Sequence, residues 1–285
     1  MRFVKMHGLG NDYIFICCTE QMIEEPEQLA RKISDRHFGV GADGLILICP
    51  SDRADFRMEM YNADGSRGRM CGNGIRCFAK YVYDYGMIRK KYIKIETDCG
   101  IKSAKMFEKN GIVERVGVDM GAPIFNDALV YLNILDMTTG DGGGVLEVDA
   151  VSMGNPHCVV FTDQKYFENN RKFFCDDILA DTDQLNAMVA RIQKLPCFPE
   201  GVNVEFVDIL DDTRLSVRVW ERGSGETLAC GTGACAVVAA SVKHGYTNRS
   251  VRVIFPGGEL DVHWDEQEDT IYMTGPAVKV FEGEY

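Results

Sequence analysis

The chain repeats itself. "CGNGIRCFAKYVYDYG" (71–86) aligns without a gap on "CGTGACAVVAASVKHG" (230–245), sharing the Cys, the two motif glycines and the closing Gly. Upstream, "MEMYNADGSRGRMC" lies over "VRVWERGSGETLAC", so Tyr61 matches Trp220, Asn62 matches Glu221 and Ala63 matches Arg222. "GVGADGLILI" over "PEGVNVEFVDI" pairs Asp43 with Asn203. "HGLGNDYIFI" over "VSMGNPHCVVF" pairs Asn11 with Asn155 and Tyr13 with His157. "VDMGAPIF" (118–125) and "YMTGPAVKVF" (272–281) close the two copies. Blocks recurring in one order mark a duplicated unit of roughly 120 to 135 residues, a constraint that acts before any local propensity. The expected halves are 1–125, completed by the C-terminal strand 270–285, and 126–269. They join near 125–150, where "TTGDGGGVLEV" supplies a glycine-rich turn.

Each copy reads as mixed α/β. "FRMEMYN", "LSVRVWE", "YIKIET", "VRVIF" and "CVVFT" have the β-branched and alternating character of strands. "PEQLARKISDRHFG" has Pro at a helix start, Leu29 and Ile33 four apart, and Gly after the end. "DQLNAMVARIQKL" (183–195) is its counterpart, preceded by a charged loop. The segments after Cys71 and Cys230 predict buried helices, with Ile75, Phe78, Ala79 and Val82 in one and Ala234, Val237, Val238 and Val242 in the other. Gly86 and Gly245 are their C-terminal stops.

Composition narrows the function classes. A net charge of -12 argues against a nucleic-acid surface, which needs a basic stripe. The longest apolar stretch, "ACAVVAASV", falls far short of the roughly 20 residues that span a bilayer. The start, "MRFVKMHGLGNDYIFICC", lacks the apolar core and cleavage site of a signal peptide, so the expected location is cytoplasmic. There are 11 cysteines and 5 histidines, but neither C-x-x-C nor H-E-x-x-H occurs, so no metal and no disulfide framework are expected. Cys17, Cys18, Cys49, Cys99, Cys158, Cys175 and Cys197 read as packing thiols, as do Cys77 and Cys235 inside the helices.

Cys71 and Cys230 are different. Each precedes G-x-G at a helix start, where unpartnered N–H groups and the positive end of the helix dipole favour a thiolate. The same N–H groups bind a carboxylate, and the glycines let it approach the backbone. Two such thiols on either side of one carbon can invert it, one removing a proton and the other returning one to the opposite face. Donors aimed at the carboxylate as it becomes an enediolate can each contribute about 2.7–4 kcal/mol. Positions that differ between the copies are expected to read the asymmetric remainder of the substrate. Arg222 is a natural fork for a distal carboxylate, although an arginine in a loop also makes surface ion pairs. Asparagines also suit turns, and His157 after Pro156 also suits a packed ring.

"MHGLGNDYIFI", "FGVGADGLILI", "YNADGSRGRMCGNGIRC", "GNPHCVVF", "GVNVEFV", "WERGSGETLACGTGACA" and "FPGGEL" together resemble the diaminopimelate epimerase family from residue 3 to about 280. The resemblance implies two pseudo-symmetric α/β domains, each a curved, barrel-like sheet around a central helix, with the active site in the interdomain cleft. It implies cofactor-independent interconversion of LL- and meso-diaminopimelate, on the route to lysine and peptidoglycan precursors. It makes Cys71 and Cys230 the acid/base pair and places Gly72, Asn73, Gly231 and Thr232 around the reacting carboxylate. Asn11, Asn62, Asn155, Asn203 and Arg222 would hold the distal end. Glu221 and His157 would set the protonation of the thiols, with Glu221 also touching substrate. The expected partner is a small amino acid, with no nucleic acid and no membrane, and homodimerisation is left open. Gly44 departs from the family, in which many members have Gln. Two alternatives remain: a two-cysteine racemase or epimerase of the proline, hydroxyproline or histidine type, and a cysteine-based redox or metal-binding module.

Overall fold

The structure is a computed structural model. It describes residues 1–19, 21–68, 70–126, 131–134, 144–162, 179 and 181–285, with the backbone alone at 131–134 and 144–146. These divide into two compact units, Met1–Asp119 with Met273–Tyr285, and Met120–Tyr272.

The first unit opens with β1 (Arg2–Gly8) and β2 (Asn11–Cys17), followed by α1 (Pro26–Ile33), β3 (Gly44–Cys49), β4 (Phe56–Asn62) and the short β5 (Arg67–Gly68). Next come α2 (Gly72–Asp84), β6 (Tyr92–Thr97), β7 (Gly100–Lys109) and β8 (Ile112–Gly121). The intervening elements are β9 (Ile124–Phe125), β10 (Tyr131–Ile134), β11 (Gly144–Glu147), β12 (Asp149–Ser152), β13 (Pro156–Phe161), α3 (Thr182–Ile192), β14 (Asn203–Asp211), β15 (Arg214–Glu221) and β16 (Gly225–Thr227). The chain finishes with α4 (Gly231–Lys243), β17 (Ser250–Phe255), β18 (Gly258–Asp265), β19 (Thr270–Pro276) and β20 (Val278–Glu284).

Both units use the same connections. In the first, β2 and β3 run parallel and α1 links them, while β4 and β6 run parallel and α2 links them. In the second, α3 links parallel β13 and β14, and α4 links parallel β15 and β17. Parallel neighbours need such a crossover, because a tight turn can only reverse the chain. The β1–β2, β3–β4, β6–β7 and β7–β8 ladders are antiparallel, and β20 pairs antiparallel with β1 from Arg2↔Glu284 to His7↔Val278. β10 and β11 also pair antiparallel; the glycine-rich stretch expected at this join, "TTGDGGGVLEV" (138–148), lies partly outside the described residues. The charged loop expected before α3 also lies largely outside them.

The strands are apolar on both faces where a helix covers each. In β3, "GLILIC", Leu45 and Leu47 pack with Ala30 and Ile33 of α1, whereas Ile46 reaches under Gly74 of α2. In the second unit Val204 and Phe206 pack with Leu185, Met188 and Ile192 of α3. Helix α2 touches β1, β2, β3 and β7, so the sheet of its unit must bend round it; α4 touches β12, β13, β14, β17 and β18. Enclosure buries α2 on every side, including Arg76 and Lys80 besides the expected Ile75, Phe78, Ala79 and Val82. An enclosed helix has no polar face to spare. Lys80 is satisfied by Asp84 at 2.6 Å.

The register corrects one sequence pairing. Tyr13 lies beside Gly44 and His157 beside Asn203, while Gly44 faces Asn62 across the β3–β4 ladder. Val204 faces Trp220, which sets Asn203 against Glu221. Gly44, not Asp43, therefore occupies the position of Asn203. The two blocks share G-x-[DN], but the ladder and not the shared glycine fixes the register. Cys99 is exposed in the β6–β7 turn instead of packed, and Cys175 lies outside the described residues.

Candidate active site

In each unit the motif cysteine is the N-cap of the enclosed helix. Cys71 (φ -131°, ψ 123°) and Cys230 (φ -124°, ψ 121°) both have extended backbone. Their sulfurs accept the N–H of Gly74 and Gly233, each at 3.4 Å. A side chain in this position takes one of the helix's unpartnered donors, as capping oxygens do. The third motif residue must be glycine for a separate reason. A Cβ on Gly74 would lie 2.6 Å from Ile46 Cδ1, and one on Gly233 would lie 2.7 Å from Glu205 Oε1.

Around Cys71, the sulfur donates to Asn11 Oδ1 at 3.2 Å, and Asn73 Nδ2 donates to the same oxygen at 3.4 Å. The Asn11 amide is held from its other end by Asp43 Oδ2 at 2.7 Å. Buried Arg76 donates to Asn73 Oδ1 at 2.9 Å and to the Gly72 carbonyl at 3.0 Å. The Tyr13 hydroxyl also meets the sulfur; burial first, and then a Cys71 thiolate beside it, push this phenol well above its ordinary value, so it remains a donor. Behind Asn11, Asp12 bonds Arg36 at 2.7 Å and Lys5 at 2.9 Å. Burial alone would raise the Asp12 carboxyl, but those two cations outweigh it and hold the group below its ordinary value.

The Cys230 surroundings are acidic. The sulfur meets the Thr232 hydroxyl at 3.4 Å. Burial pushes the thiol well up, and the Glu221 and Glu205 carboxylates push it further. Glu221 is itself raised, mainly by burial, although Thr227 donates to it at 2.7 Å and it shares a hydrogen bond with Cys230. His157 is fully buried, with Nδ1 at 2.6 Å from Glu205 Oε1 and Nε2 at 3.1 Å from Asn155 Oδ1. Asn155 Nδ2 donates to Thr232 Oγ1 at 3.3 Å.

Of the residues expected from sequence, Asn11, Gly72 and Asn73 gather at Cys71, while Asn155, His157, Glu221, Gly231 and Thr232 gather at Cys230. Asn62 makes a turn: its amide donates to Ser66 Oγ at 2.9 Å. Asn203 Oδ1 accepts the Arg222 N–H at 2.8 Å. The Arg222 guanidinium is half exposed and donates to the Glu200 carbonyl at 2.8 Å. Sequence reasoning missed Glu205 and Arg76. Glu205 stands in the apolar run "GVNVEFV", and a lone carboxylate there was the available signal, since an unpaired charge is costly on a buried face. No described helix is long and apolar enough to cross a membrane.

The family model for diaminopimelate epimerase matches residues 3–126 and 149–280, including both cysteine motifs. The chain belongs to the diaminopimelate epimerase family. Members of this family are isomerases. A diaminopimelate epimerase of Acetivibrio thermocellus is 48% identical over 289 residues, covering 100% of this chain and 98% of that protein. One from Methanococcus maripaludis (strain C5) is 47% identical, covering 100% and 99%. Two crystal structures show the same fold at much lower identity. A hydroxyproline epimerase from Agrobacterium vitis has a TM-score of 0.68 at 18% identity, covering 99% of this chain and 91% of that one. A PhzF-family phenazine biosynthesis protein from Bacillus anthracis has a TM-score of 0.70 at 17% identity, covering 100% and 98%.

Proposed function

We propose that the protein interconverts LL- and meso-diaminopimelate with Cys71 and Cys230 as the proton-transferring pair and no cofactor. The observation that carries this reading is the recurrence of one device, a sulfur capping an enclosed helix at a C-G-x-G turn, in both units of a chain from this family. In the proposed step one sulfur, as thiolate, takes the α-hydrogen and becomes a thiol. The other, initially a thiol, returns its proton to the opposite face and becomes the thiolate. The Cα electron pair passes into the carboxylate, and the N–H groups at the heads of α2 and α4 are the donors for that charge. The product leaves the two sulfurs in exchanged protonation states, which suits the reverse reaction. Glu221, bonded to Cys230 and raised by burial, is the group placed to exchange a proton with that thiol.

The test is proton exchange in deuterated water with LL- and meso-diaminopimelate. Cys71→Ala and Cys230→Ala should each abolish inversion, and each should still exchange the α-proton of one stereoisomer. Normal turnover by either variant would end the reading. Arg222→Ala should raise KM for diaminopimelate strongly; an unchanged KM would move the distal carboxylate to other partners. A panel of proline, hydroxyproline and histidine run beside LL-diaminopimelate separates this reading from a related racemase. Supply of lysine and peptidoglycan precursors, a cytoplasmic location and homodimerisation belong to the same proposal, and sedimentation of the purified protein tests the last.

A further inference from the structure

We propose that Glu205 is a positioning residue of the second unit: it holds His157 as a buried imidazolium, and that cation polarises a chain of donors ending on the Cys230 sulfur. The proposal rests on the reading of Cys230 as an acid/base group given above.

Both partners of the pair are fully buried, and the 2.6 Å separation of Nδ1 and Oε1 suits a charge-assisted bond. A carboxylate can only accept, so Nδ1 carries a hydrogen. On the other side of the ring, Nε2 faces Asn155 Oδ1, also an acceptor, at 3.1 Å. With acceptors at both nitrogens, as the Asn155 amide stands, the proposed ring carries a hydrogen on each. Asn155 then presents its NH₂ to Thr232 Oγ1 at 3.3 Å, and a hydroxyl that accepts there has its own hydrogen to direct at the Cys230 sulfur, 3.4 Å away. The chain thus runs Glu205, His157, Asn155, Thr232, Cys230, with each donor polarised by the one before it.

The charges around the ring fit this assignment. Within this unit the charged groups that act on it are Glu205 on β14 and Glu221 on β15. Asp149 on β12 is taken up by His244 at 2.7 Å. The ring is therefore set among carboxylates.

Glu205 also occupies a tailored place. Its Oε2 makes no hydrogen bond among the described residues, and Oε1 lies where a Cβ at Gly233 would intrude. In the first unit the register-equivalent residue is Ile46, two beyond the partner of Tyr13, packed in the same way beneath Gly74. A hydrocarbon fills this position there, so packing alone does not require a carboxylate. The pair Glu205 and His157 replaces Ile46 and Tyr13, and it gives the Cys230 half a cation that offsets the carboxylates beside its sulfur.

The test uses the full-length protein carrying ¹⁵N-labelled histidine, with His157→Asn to assign the ring signals. In the parent at pH 8 both ring nitrogens of His157 should be protonated, although an ordinary histidine, with a pKa of about 6.5, is neutral there. In Glu205→Gln, which keeps the size and removes the charge, the ring should be neutral at pH 8. Relative to the parent, the kcat of this variant should be about tenfold or more lower at pH 8, and the gap should narrow as pH falls and the ring takes up its second proton, with KM within about twofold. A merely structural role would give a ratio independent of pH. A neutral ring in the parent at pH 8, a cationic ring in the variant, or a pH-independent kcat ratio would each overturn the proposal. If Glu205→Gln does not fold, the parent's ring signals decide alone. If the parent does not act on diaminopimelate, the functional reading fails while the ring measurement still decides the ion pair.

Discussion

At Glu221 stability and chemistry pull in opposite directions. Its carboxyl is held above the ordinary range chiefly by burial, against hydrogen bonds from Thr227 and Cys230. A folded-state value above the unfolded one makes ionisation destabilising once pH exceeds the unfolded value, about 4.3. Glu221→Gln keeps the acceptor for Thr227 and removes the charge. It should melt about 2–4 °C above the parent at pH 8, with the gap closing by pH 4, while losing epimerase turnover. Thermal scans at the two pH values measure this; a gap constant with pH would assign the effect to packing. Gly44 poses the opposite problem. A Cβ there would lie 2.2 Å from the Tyr61 carbonyl and 3.1 Å from the Tyr13 ring. Gly44→Gln should cost about 1–3 kcal/mol in urea unfolding unless β4 moves away. The glycine is therefore built into the backbone spacing between β3 and β4.

At the level of elements, the two enclosed helices are defined at both ends. Cys71 and Cys230 start them, and Gly86 and Gly245, each at φ +72°, stop them. The amides of these glycines close on the Tyr83 and Val242 carbonyls at 2.9 and 3.0 Å. Nothing lies within 4 Å of a Cβ added at Gly245, so Gly245→Ala probes backbone conformation alone. It should destabilise the protein by about 1–2 kcal/mol with kcat unaffected. A value near zero in urea unfolding would mean that the turn relaxes out of the left-handed region. Both helix ends were legible in the sequence, because cap and stop residues act locally. The burial of Arg76 was not, since it follows from the sheet closing round α2 and not from the spacing along the helix.

At the scale of the whole molecule, the chain's last strand completes its first unit. β20 pairs with β1, the Met1 ammonium donates to the Tyr285 carbonyl at 2.8 Å, and buried Arg76 donates to the Pro276 carbonyl at 3.2 Å. Deleting 277–285 would strip β1 of that ladder. At about 1 kcal/mol per backbone hydrogen bond the loss is several kcal/mol, a large share of a typical domain's stability. The truncated chain should be insoluble or melt at least about 10 °C lower; an unchanged melting curve would show that β1 needs no partner on that side. Acid should act on the same unit. Asp12, held low by Arg36 and Lys5 against the cost of burial, contributes stability that is complete above the unfolded value of about 3.9 and lost as pH falls through the folded one. Asp12→Asn should therefore unfold more readily than the parent at pH 7 and lose that disadvantage near pH 2, as read from urea midpoints.

The sequence by itself determined the duplication, the strand and helix types, the two capping cysteines and the glycines beside them. Each of these is set by residues near one another in the chain, or by self-comparison, which needs no coordinates. Only the tertiary structure decided that Gly44 and not Asp43 stands opposite Asn203, that Arg76 is enclosed, and that Glu205 lies against His157 beneath Gly233. Those facts depend on ladder register and on which faces of a sheet a helix covers. They join residues far apart in the chain, and no local pattern records them.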